Sequence, residues 1–570
     1  MLKIPVSIPV VPFKLRLIDL LILFSFVGVM SLVVYVASGW RYEIQPAIEI
    51  SLDIRNIPLY SANSLVRITS AYMLSLLFSI WYGYTANRSR VHEKIMIPLL
   101  DVLQSIPVLS FLPGVVLAMV ALFPGRRIGI ELASILLIFT GQVWNMAFSY
   151  FNSINTIPRE LVEVTKVFRH NRFTKFLRLD IPFSAIGLIW NSMMSVAGGW
   201  FFLMACEMFV LKDRDFRLPG IGSYIQTAAN QGDMVHVFYG IGTMVLLIVL
   251  LDLLIWRPLV AWSQKFRIET IQAEEERESA VLNFLRKSQF VDWVERSLAG
   301  QVKKFETFFG RVGSSPQGSL YKLRRIISLL LSVLAAGMLC WAVVRALGMF
   351  VGLSLNDYLA VLVSAGASIL RTSAALFIAA LWTVPLGVYI GMNPRASRVL
   401  QPIVQVVASI PATAVFPVIL LSLVSLGGGL AVGSVFLMLL GTQWYILFNV
   451  IAGASAIPQD LRETARLYGV KSWRKWKVLI LPGIFPYLVT GLITATGGAW
   501  NASIVSEYVT FGGRTMKTRG LGSLISESTV TGNFRLLLFS TVVMAVIVVS
   551  INRFFWKRLF ALAQEKYRLD

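Results

Sequence analysis

Read from the N-terminus, the chain alternates long apolar stretches with short polar gaps. The apolar stretches fall at roughly 20–38, 60–85, 96–123, 129–153, 183–210 and 236–261, and again at about 326–349, 358–391, 399–425, 429–452, 484–510 and 536–556. At 1.5 Å of rise per residue, runs of this length cross a hydrocarbon layer of about 30 Å. Inside a bilayer the backbone has to satisfy its own hydrogen bonds, so runs of this kind are helices. The pattern predicts an all-α polytopic membrane protein of about twelve transmembrane helices. It divides into a first half over 1–262, a polar linker over 263–324 and a second half over 325–570. Pro107, Pro113, Pro411 and Pro417 fall within the third helix of each half. They are expected to kink or break it, because proline removes a ladder donor and crowds the preceding turn. In the linker, Phe290, Val294 and Leu298 recur every four residues, extended upstream by Leu282 and Leu285. That spacing predicts one apolar stripe on a helix, packed on the protein itself or lying in the membrane interface.

The two halves repeat each other in detail. Gly141, Trp144 and Phe148 match Gly441, Trp444 and Phe448; Trp200 and Glu207 match Trp500 and Glu507; Gly220, Gly222 and Ser223 match Gly520, Gly522 and Ser523, all at an offset of 300. Arg67 matches Arg371, and Ser105-Ile106-Pro107 matches Ser409-Ile410-Pro411, at an offset of 304. The difference has to lie between 107 and 141, and the polar turn at Pro124-Gly125-Arg126-Arg127 is the expected place. With an even number of helices per half, the repeats run parallel, related by an axis along the membrane normal.

Composition sharpens this picture. The 570 residues are 56% hydrophobic and 14% charged, against about 25% charged in a soluble protein. The net charge of +22 does not point to nucleic acid, since Lys and Arg lie mostly in the gaps between apolar runs and form no separate basic domain. The richest gaps hold Arg88, Arg90 and Lys94, the segment from Lys166 to Arg178, Arg395 and Arg398, and the segment from Arg462 to Lys477. By the positive-inside rule these share the cytoplasmic side with both termini. Two gaps go against the rule: Lys212, Arg214 and Arg217, and Arg514, Lys517 and Arg519. The first apolar run is spanning length with no clear cleavage site after it, so no signal peptide is expected. Cys206 and Cys340 both fall in apolar runs and make neither a disulfide framework nor a metal site.

The chemistry sits in a loop that occurs twice. One copy runs from Ile157-Pro158-Arg159-Glu160-Leu161-Val162-Glu163-Val164-Thr165 to Ile181-Pro182; the other runs from Ile457-Pro458-Gln459-Asp460-Leu461-Arg462-Glu463-Thr464-Ala465 through Gly469 to Leu481-Pro482. Pro458 suits the first position of a short helix, Asp460 and Glu463 favour the positive end of its dipole, and Gly469 suits a left-handed stop. Leu461, Ala465 and Tyr468 share one face. So short a helix has little to bury alone, which suggests a cytoplasmic partner. Charges inside apolar runs are costly and therefore face a partner or a cavity. Glu207 and Glu507 read as gate or helix-pairing residues, with substrate ligands as the alternative; as a gate, they would line or close the path if their two faces meet at the symmetry axis. Arg67 and Arg371 read as interface anchors or acid partners, with attraction of an anion as the alternative. Trp200 and Trp500 read as packing or path-lining residues, and Asp252, matched by Asn552, reads as structural.

These residues resemble the permeases of binding-protein-dependent ABC importers. The second loop, Glu463-Thr464-Ala465, Gly469 and Leu479-Ile480-Leu481-Pro482, is similar to the Glu-Ala-Ala signature of that family. Ser368-Ile369-Leu370-Arg371, Ser409-Ile410-Pro411, Trp500 to Glu507 and Gly520-Leu521-Gly522 resemble its nitrate, sulfonate, taurine and bicarbonate branch. The resemblance covers most of 59–262 and 357–556. It implies a type I importer permease with two half-sites fused in one chain, sited in a bacterial or archaeal cytoplasmic membrane, moving a small anion. The coupling residues it implies are Glu160, Glu163, Thr165, Arg169 and Pro182 in one loop and Asp460, Glu463, Ala465, Gly469 and Pro482 in the other. They would dock two copies of a separate ABC ATPase, which would hold ATP and Mg²⁺, and an external solute-binding protein would deliver the cargo. The first loop departs from the signature: Val164 and Arg169 replace small residues, and Asn171 is left to supply the left-handed turn. No G-x-x-x-x-G-K-[ST] occurs in the chain, no nucleophile–base set appears, and no cofactor of its own is expected. An ion-gradient-driven transporter built from two six-helix repeats is the rival reading, though it gives no reason for the repeated loop. A membrane scaffold or receptor gives none for the intramembrane acids.

Overall fold

A computed structural model describes residues 49–566 apart from 125, 169, 212–213, 267–319, 426–428 and 512–513. The first apolar run and the linker stripe at Phe290, Val294 and Leu298 lie outside the described residues. Among the described residues, eight helices are long and apolar enough to cross a membrane, and two further bent pairs bring the total to ten. A helix at Leu320–Val351 covers the apolar run expected at 326–349. The described chain is almost wholly helical, as the apolar pattern predicts.

Each half repeats one order of elements. In the first half, a long helix at Ile57–Ala86 is followed by a broken pair, Arg90–Ser105 and Leu112–Leu122, and by Ile128–Asn155. A short loop helix, Arg159–Val167, leads to the next span, which ends at Glu207. A small antiparallel hairpin, Val210–Leu211 with Arg214–Asp215, a half-length helix at Ile221–Gln231 and the last span from Met234 complete it. The second half follows suit: Leu355–Met392, Pro394–Ser409 with Ala412–Ser425, Leu430–Ser455, the loop helix Gln459–Leu467 and Leu481–Ser506. The hairpin Tyr508–Phe511 with Arg514–Lys517, the half-length helix Leu521–Thr531 and the last span from Phe534 close the repeat.

The prolines act where their backbone constraint bites. The two pieces of the third span meet at 82° in the first half and 77° in the second. The breaks fall at Ile106-Pro107 and Ile410-Pro411, where Ile106 and Ile410 are extended, the conformation that a following proline favours. Pro113, expected to kink a helix, instead stands in the first turn of Leu112–Leu122, where its missing N–H is no loss. Pro417 lies within Ala412–Ser425.

Among the described residues, four places carry one extra residue in a helical turn. The N–H groups of Ile181, Leu481, Arg257 and Lys557 reach back five residues, to the carbonyls of Phe176, Trp476, Asp252 and Asn552. These π-turns sit at matching places in the two halves: just after each loop helix, and near the end of each last span.

The half-length helices were not foreseen. Each begins at a glycine, Gly220 or Gly520, and ends at a left-handed one, Gly232 (φ +73°) or Gly532 (φ +70°). Eleven residues are too short to span, so hydropathy alone passes them over. The halves meet in an apolar cluster that joins Val108, Leu109 and Phe216 of the first half to Trp500, Ile504 and Leu521 of the second. Polar contacts cross the same seam: Thr541 Oγ1 donates to Ser110 O at 3.3 Å, and Asn552 Nδ2 donates to Ser105 Oγ at 2.6 Å.

Candidate translocation site and coupling loops

At the hairpin end of the bundle, each half clamps its own carboxylate. Arg67 Nη1 donates to Glu207 Oε1 at 2.7 Å and to Pro219 O at 3.0 Å, while its Nε and Nη2 hold Glu131 at 2.6 and 2.9 Å. Ser64 Oγ donates to Glu207 Oε1 at 2.7 Å and accepts the Ile221 N–H at 3.0 Å. The Gly222 N–H donates to Glu207 Oε2 at 2.8 Å. A fully buried carboxylate is thus met by a guanidinium, a hydroxyl and the free N–H groups of a helix start, which together offset its desolvation. A Cβ at Gly220 would occupy the position of the carboxylate itself.

The second half repeats the clamp more loosely. Arg371 Nη1 donates to Glu507 Oε1 at 3.1 Å and to Arg519 O at 2.7 Å, and its Nη2 donates to Thr518 Oγ1 at 2.9 Å. Ser368 Oγ and the Gly522 N–H complete the set at 2.7 and 2.9 Å. Among the described residues no second acid bonds Arg371 as Glu131 bonds Arg67, and the Arg371 side chain is 14% exposed against 3% for Arg67. Each acid therefore pairs within its own half. The gate expectation in which Glu207 and Glu507 meet at the axis is corrected: each carboxylate spends its oxygens on the arginine, serine and helix start beside it. The helix-pairing reading fits these contacts, and Arg67 and Arg371 are the acid partners.

Between the halves lies a cavity of about 1280 Å³. It runs along Ile128–Asn155 from Thr140 to Thr156, which at 1.5 Å per residue is about 24 Å. At its hairpin end it meets Trp200, Phe201 and Asn501, where the apolar cluster closes the seam. At the other end it reaches Thr156 and Lys557, beside the loop helices. Asp252 and Lys557 are its charged lining residues; the rest is amide, hydroxyl, aromatic and aliphatic. Trp200 lines it, whereas Trp500 packs in the sealing cluster, and Arg67, Glu207, Arg371 and Glu507 stand outside the lining. Asp252 accepts Arg257 Nε at 2.9 Å, so both it and Asn552 combine a structural bond with a place on the cavity wall. Sequence reasoning missed most of this lining, because amides and threonines scattered on several spans leave no local motif. The offset of 300 that pairs Trp144 with Trp444 was the available signal.

The loop helices stand at the opposite end from the hairpins. Pro158 and Pro458 are the residues just before each helix, one position earlier than expected. Val167 and Phe168 are 78% and 69% exposed, and Leu467 and Tyr468 are 85% and 82% exposed. Gly469 takes φ +62°, and the Val470 N–H closes the turn on Ala465 O at 2.9 Å. In the first loop the His170 N–H makes the same bond to Thr165 O at 2.9 Å. Asn171, expected to supply a left-handed turn there, is extended and instead accepts the Thr174 N–H at the next helix start. Glu463 accepts Gln459 Nε2 at 2.8 Å, while Glu160, Glu163 and Asp460 are exposed. Pro182 and Pro482 lie in the first turns of the spans that follow. Arg169 lies outside the described residues.

Comparison with known proteins gives this architecture a family. Residues 75–256 and 383–561 each match the family described as binding-protein-dependent transport system inner membrane component. The chain is 29% identical over 185 residues to the nitrate import permease protein NrtB of Leptolyngbya laminosa, covering 32% of this chain and 61% of that protein. It is 30% identical over 146 residues to the bicarbonate transport system permease protein CmpB of Synechococcus elongatus, covering 26% and 51%. To the taurine transport system permease protein TauC of Escherichia coli it is 27% identical over 162 residues, covering 28% and 55%. The chain thus spans about half to three fifths of the length of these relatives. With more than half of its length covered by the two matches together, and with each match containing a loop helix and the span that follows it, the chain belongs to the binding-protein-dependent transport system inner membrane components.

Proposed function

We propose that the chain is the permease subunit of an ATP-driven importer for a small anion, with the ATPase in separate subunits. The observation that carries this is the pair of exposed loop helices, each joined through a π-turn to a span that lines the cavity. Covering a large apolar side chain is worth about 1.5–3 kcal/mol, so Phe168, Leu467 and Tyr468 offer a docking partner a sizeable driving force. Two copies of a cytoplasmic ABC ATPase, binding ATP and Mg²⁺, dock there. Force on a loop helix then passes through the tight turn that ends it into the helix running over Arg172–Glu207 or Ser472–Ser506, and along that helix to the cavity wall. A solute-binding protein delivers cargo at the hairpin end, where the apolar seal holds this state closed. The protein sits in a bacterial or archaeal cytoplasmic membrane with its loop helices and both termini inside. The relatives named for nitrate, bicarbonate and taurine support an anionic cargo.

The test is to purify the full chain from its native membrane and reconstitute it with the ATPase that travels with it. Uptake should require ATP hydrolysis, and Phe168→Ala with Tyr468→Ala should release the ATPase while the permease stays folded. Uptake that persists without ATP and follows an ion gradient would establish the secondary-transporter reading instead.

A further inference from the structure

The repeat exposes a second hollow, filled in one half and open in the other. At the hairpin end of the second half, the helix Leu355–Met392 and the half-length helix Leu521–Thr531 leave a pocket of about 610 Å³. Ser364 and Leu524 stand on its wall. At the repeat offsets of 304 and 300 their counterparts are Tyr60 and Tyr224. Those two rings are buried, with centroids 6.1 Å apart. Tyr60 Oη accepts the Ser51 N–H at 3.2 Å, and Tyr224 Oη donates to Leu52 O at 3.3 Å. The first half therefore fills the equivalent place with two aromatic rings, tied to the chain that precedes them. The second half has a serine and a leucine there, and the place stays open.

Two cations and one acid line this pocket, Lys517, Arg519 and Glu527. Lys517 Nζ donates to Glu527 Oε1 at 2.6 Å, so those two charges cancel. Arg519 gives its carbonyl to Arg371 Nη1 at 2.7 Å, while its exposed guanidinium has no bond among the described residues. The lining thus holds one positive charge in excess. In the first half the counterparts are Arg217, Pro219 and Thr227, and Arg217 Nη1 donates to Thr227 Oγ1 at 3.2 Å. Proline at 219 brings no charge to match Arg519. The open pocket also belongs to one of the two basic gaps that break the positive-inside rule.

The pocket opens on the outer face of the bundle and shares no lining residue with the cavity between the halves. Leu359 and Val363 on its wall are 52% and 50% exposed, and Leu362 and Leu370 continue that face at 63% and 73%. From Leu359 to Leu370 the helix rises about 16 Å, close to half of a 30 Å hydrocarbon layer, which is the depth of one leaflet. We propose that the pocket holds the headgroup of an anionic phospholipid, with an acyl chain laid along Leu359, Leu362 and Leu370. Arg519 meets the phosphate with paired N–H donors, and Lys517 has protons enough to hold Glu527 and a phosphate oxygen together. One phosphodiester charge neutralises the excess, whereas a zwitterionic headgroup leaves it uncompensated. The site is independent of the importer reading.

Native mass spectrometry of the full chain, released from nanodiscs of phosphatidylglycerol and phosphatidylcholine in equal parts, reads the retained lipid. The parent should keep one more phosphatidylglycerol than the double variant Ser364→Tyr with Leu524→Tyr, which fills the pocket as the first half is filled. That lipid should bind about tenfold tighter than phosphatidylcholine, the value of one charge-assisted hydrogen bond. Arg519→Gln keeps the carbonyl that Arg371 uses, and it should erase the preference. Equal retention of the two lipids, a preference that survives Arg519→Gln, or the same lipid count in the tyrosine-filled variant would each overturn the site. Glycerol 1-phosphate offers the headgroup without its chains. If it displaces the lipid at equal concentration, the pocket takes a free phosphate and the lipid assignment fails. If Arg519→Gln leaves the lipid in place but abolishes capture of the solute-binding protein, the patch is a protein contact and the proposal fails.

Discussion

Gly220 and Gly520 show how much one atom decides at the hairpin end. Each begins a half-length helix whose N–H groups hold a buried carboxylate, and a methyl group there would displace that carboxylate from its arginine. Overpacking alone costs about 1–3 kcal/mol, and separating a buried ion pair costs about 3–5 kcal/mol. Gly220→Ala and Gly520→Ala should therefore both lower the unfolding temperature of the purified chain. Gly242→Ala, with open space where its Cβ would go, should leave it unchanged. If Gly220→Ala unfolds with the parent, the carboxylate is not held as described. The first clamp has Glu131 as a second acid and the second clamp has none among the described residues, so the two clamps are not energetically equal. Both acids and both arginines stood out in the sequence because charges in apolar runs are rare. Their pairing did not, since 140 and 136 residues separate the partners.

Among the elements, the loop helices differ in how they are held. Arg462 Nη2 donates to Ala454 O at 2.7 Å and Ser455 O at 3.2 Å, tying the second loop helix to the last carbonyls of the span before it. The first loop has Val162 at the matching place, which packs in an apolar cluster with Leu161 and Phe176. The second copy also keeps Ala465 and the left-handed Gly469. Glu463→Ala should therefore reduce permease-dependent ATP hydrolysis several-fold more than Glu163→Ala, measured in reconstituted vesicles. Equal losses would show that both loops couple alike. Long spans were legible to within a few residues, because an apolar run of that length has one stable conformation in lipid. The bends at Pro107 and Pro411 were legible for the same local reason. The half-length helices and the hairpins were not: they depend on Glu207 and Glu507 waiting at the far end of another span, and no window of sequence contains both.

At the scale of the whole molecule, the halves interlock rather than merely abut. The bend of the first half's broken span contacts the second half's last span through Ser105–Asn552 and Ser110–Thr541. The repeat offset made two related halves legible; the unlike side chains at equivalent hairpin-end positions become meaningful only beside the pocket they fill or leave open. The proposed orientation places loops and hairpins on opposite sides of the membrane. Arg466→Cys should react with an impermeant maleimide only from the cytoplasmic side, and Arg514→Cys only from outside. Reaction of both from one side would reject this topology. The π-turns add one last consequence. A residue inserted into a helix turns everything beyond it by about 100° about the axis. The turns at 176–180 and 476–480 therefore set the phase between each loop helix and the cavity wall downstream. The same residues wound as regular α-helix would keep the hydropathy, the span and the loop, yet present the loop rotated by roughly a quarter turn. Insertion into the membrane and transmission of force through it are thus written in different properties of one helix: the first in its length, the second in its azimuth.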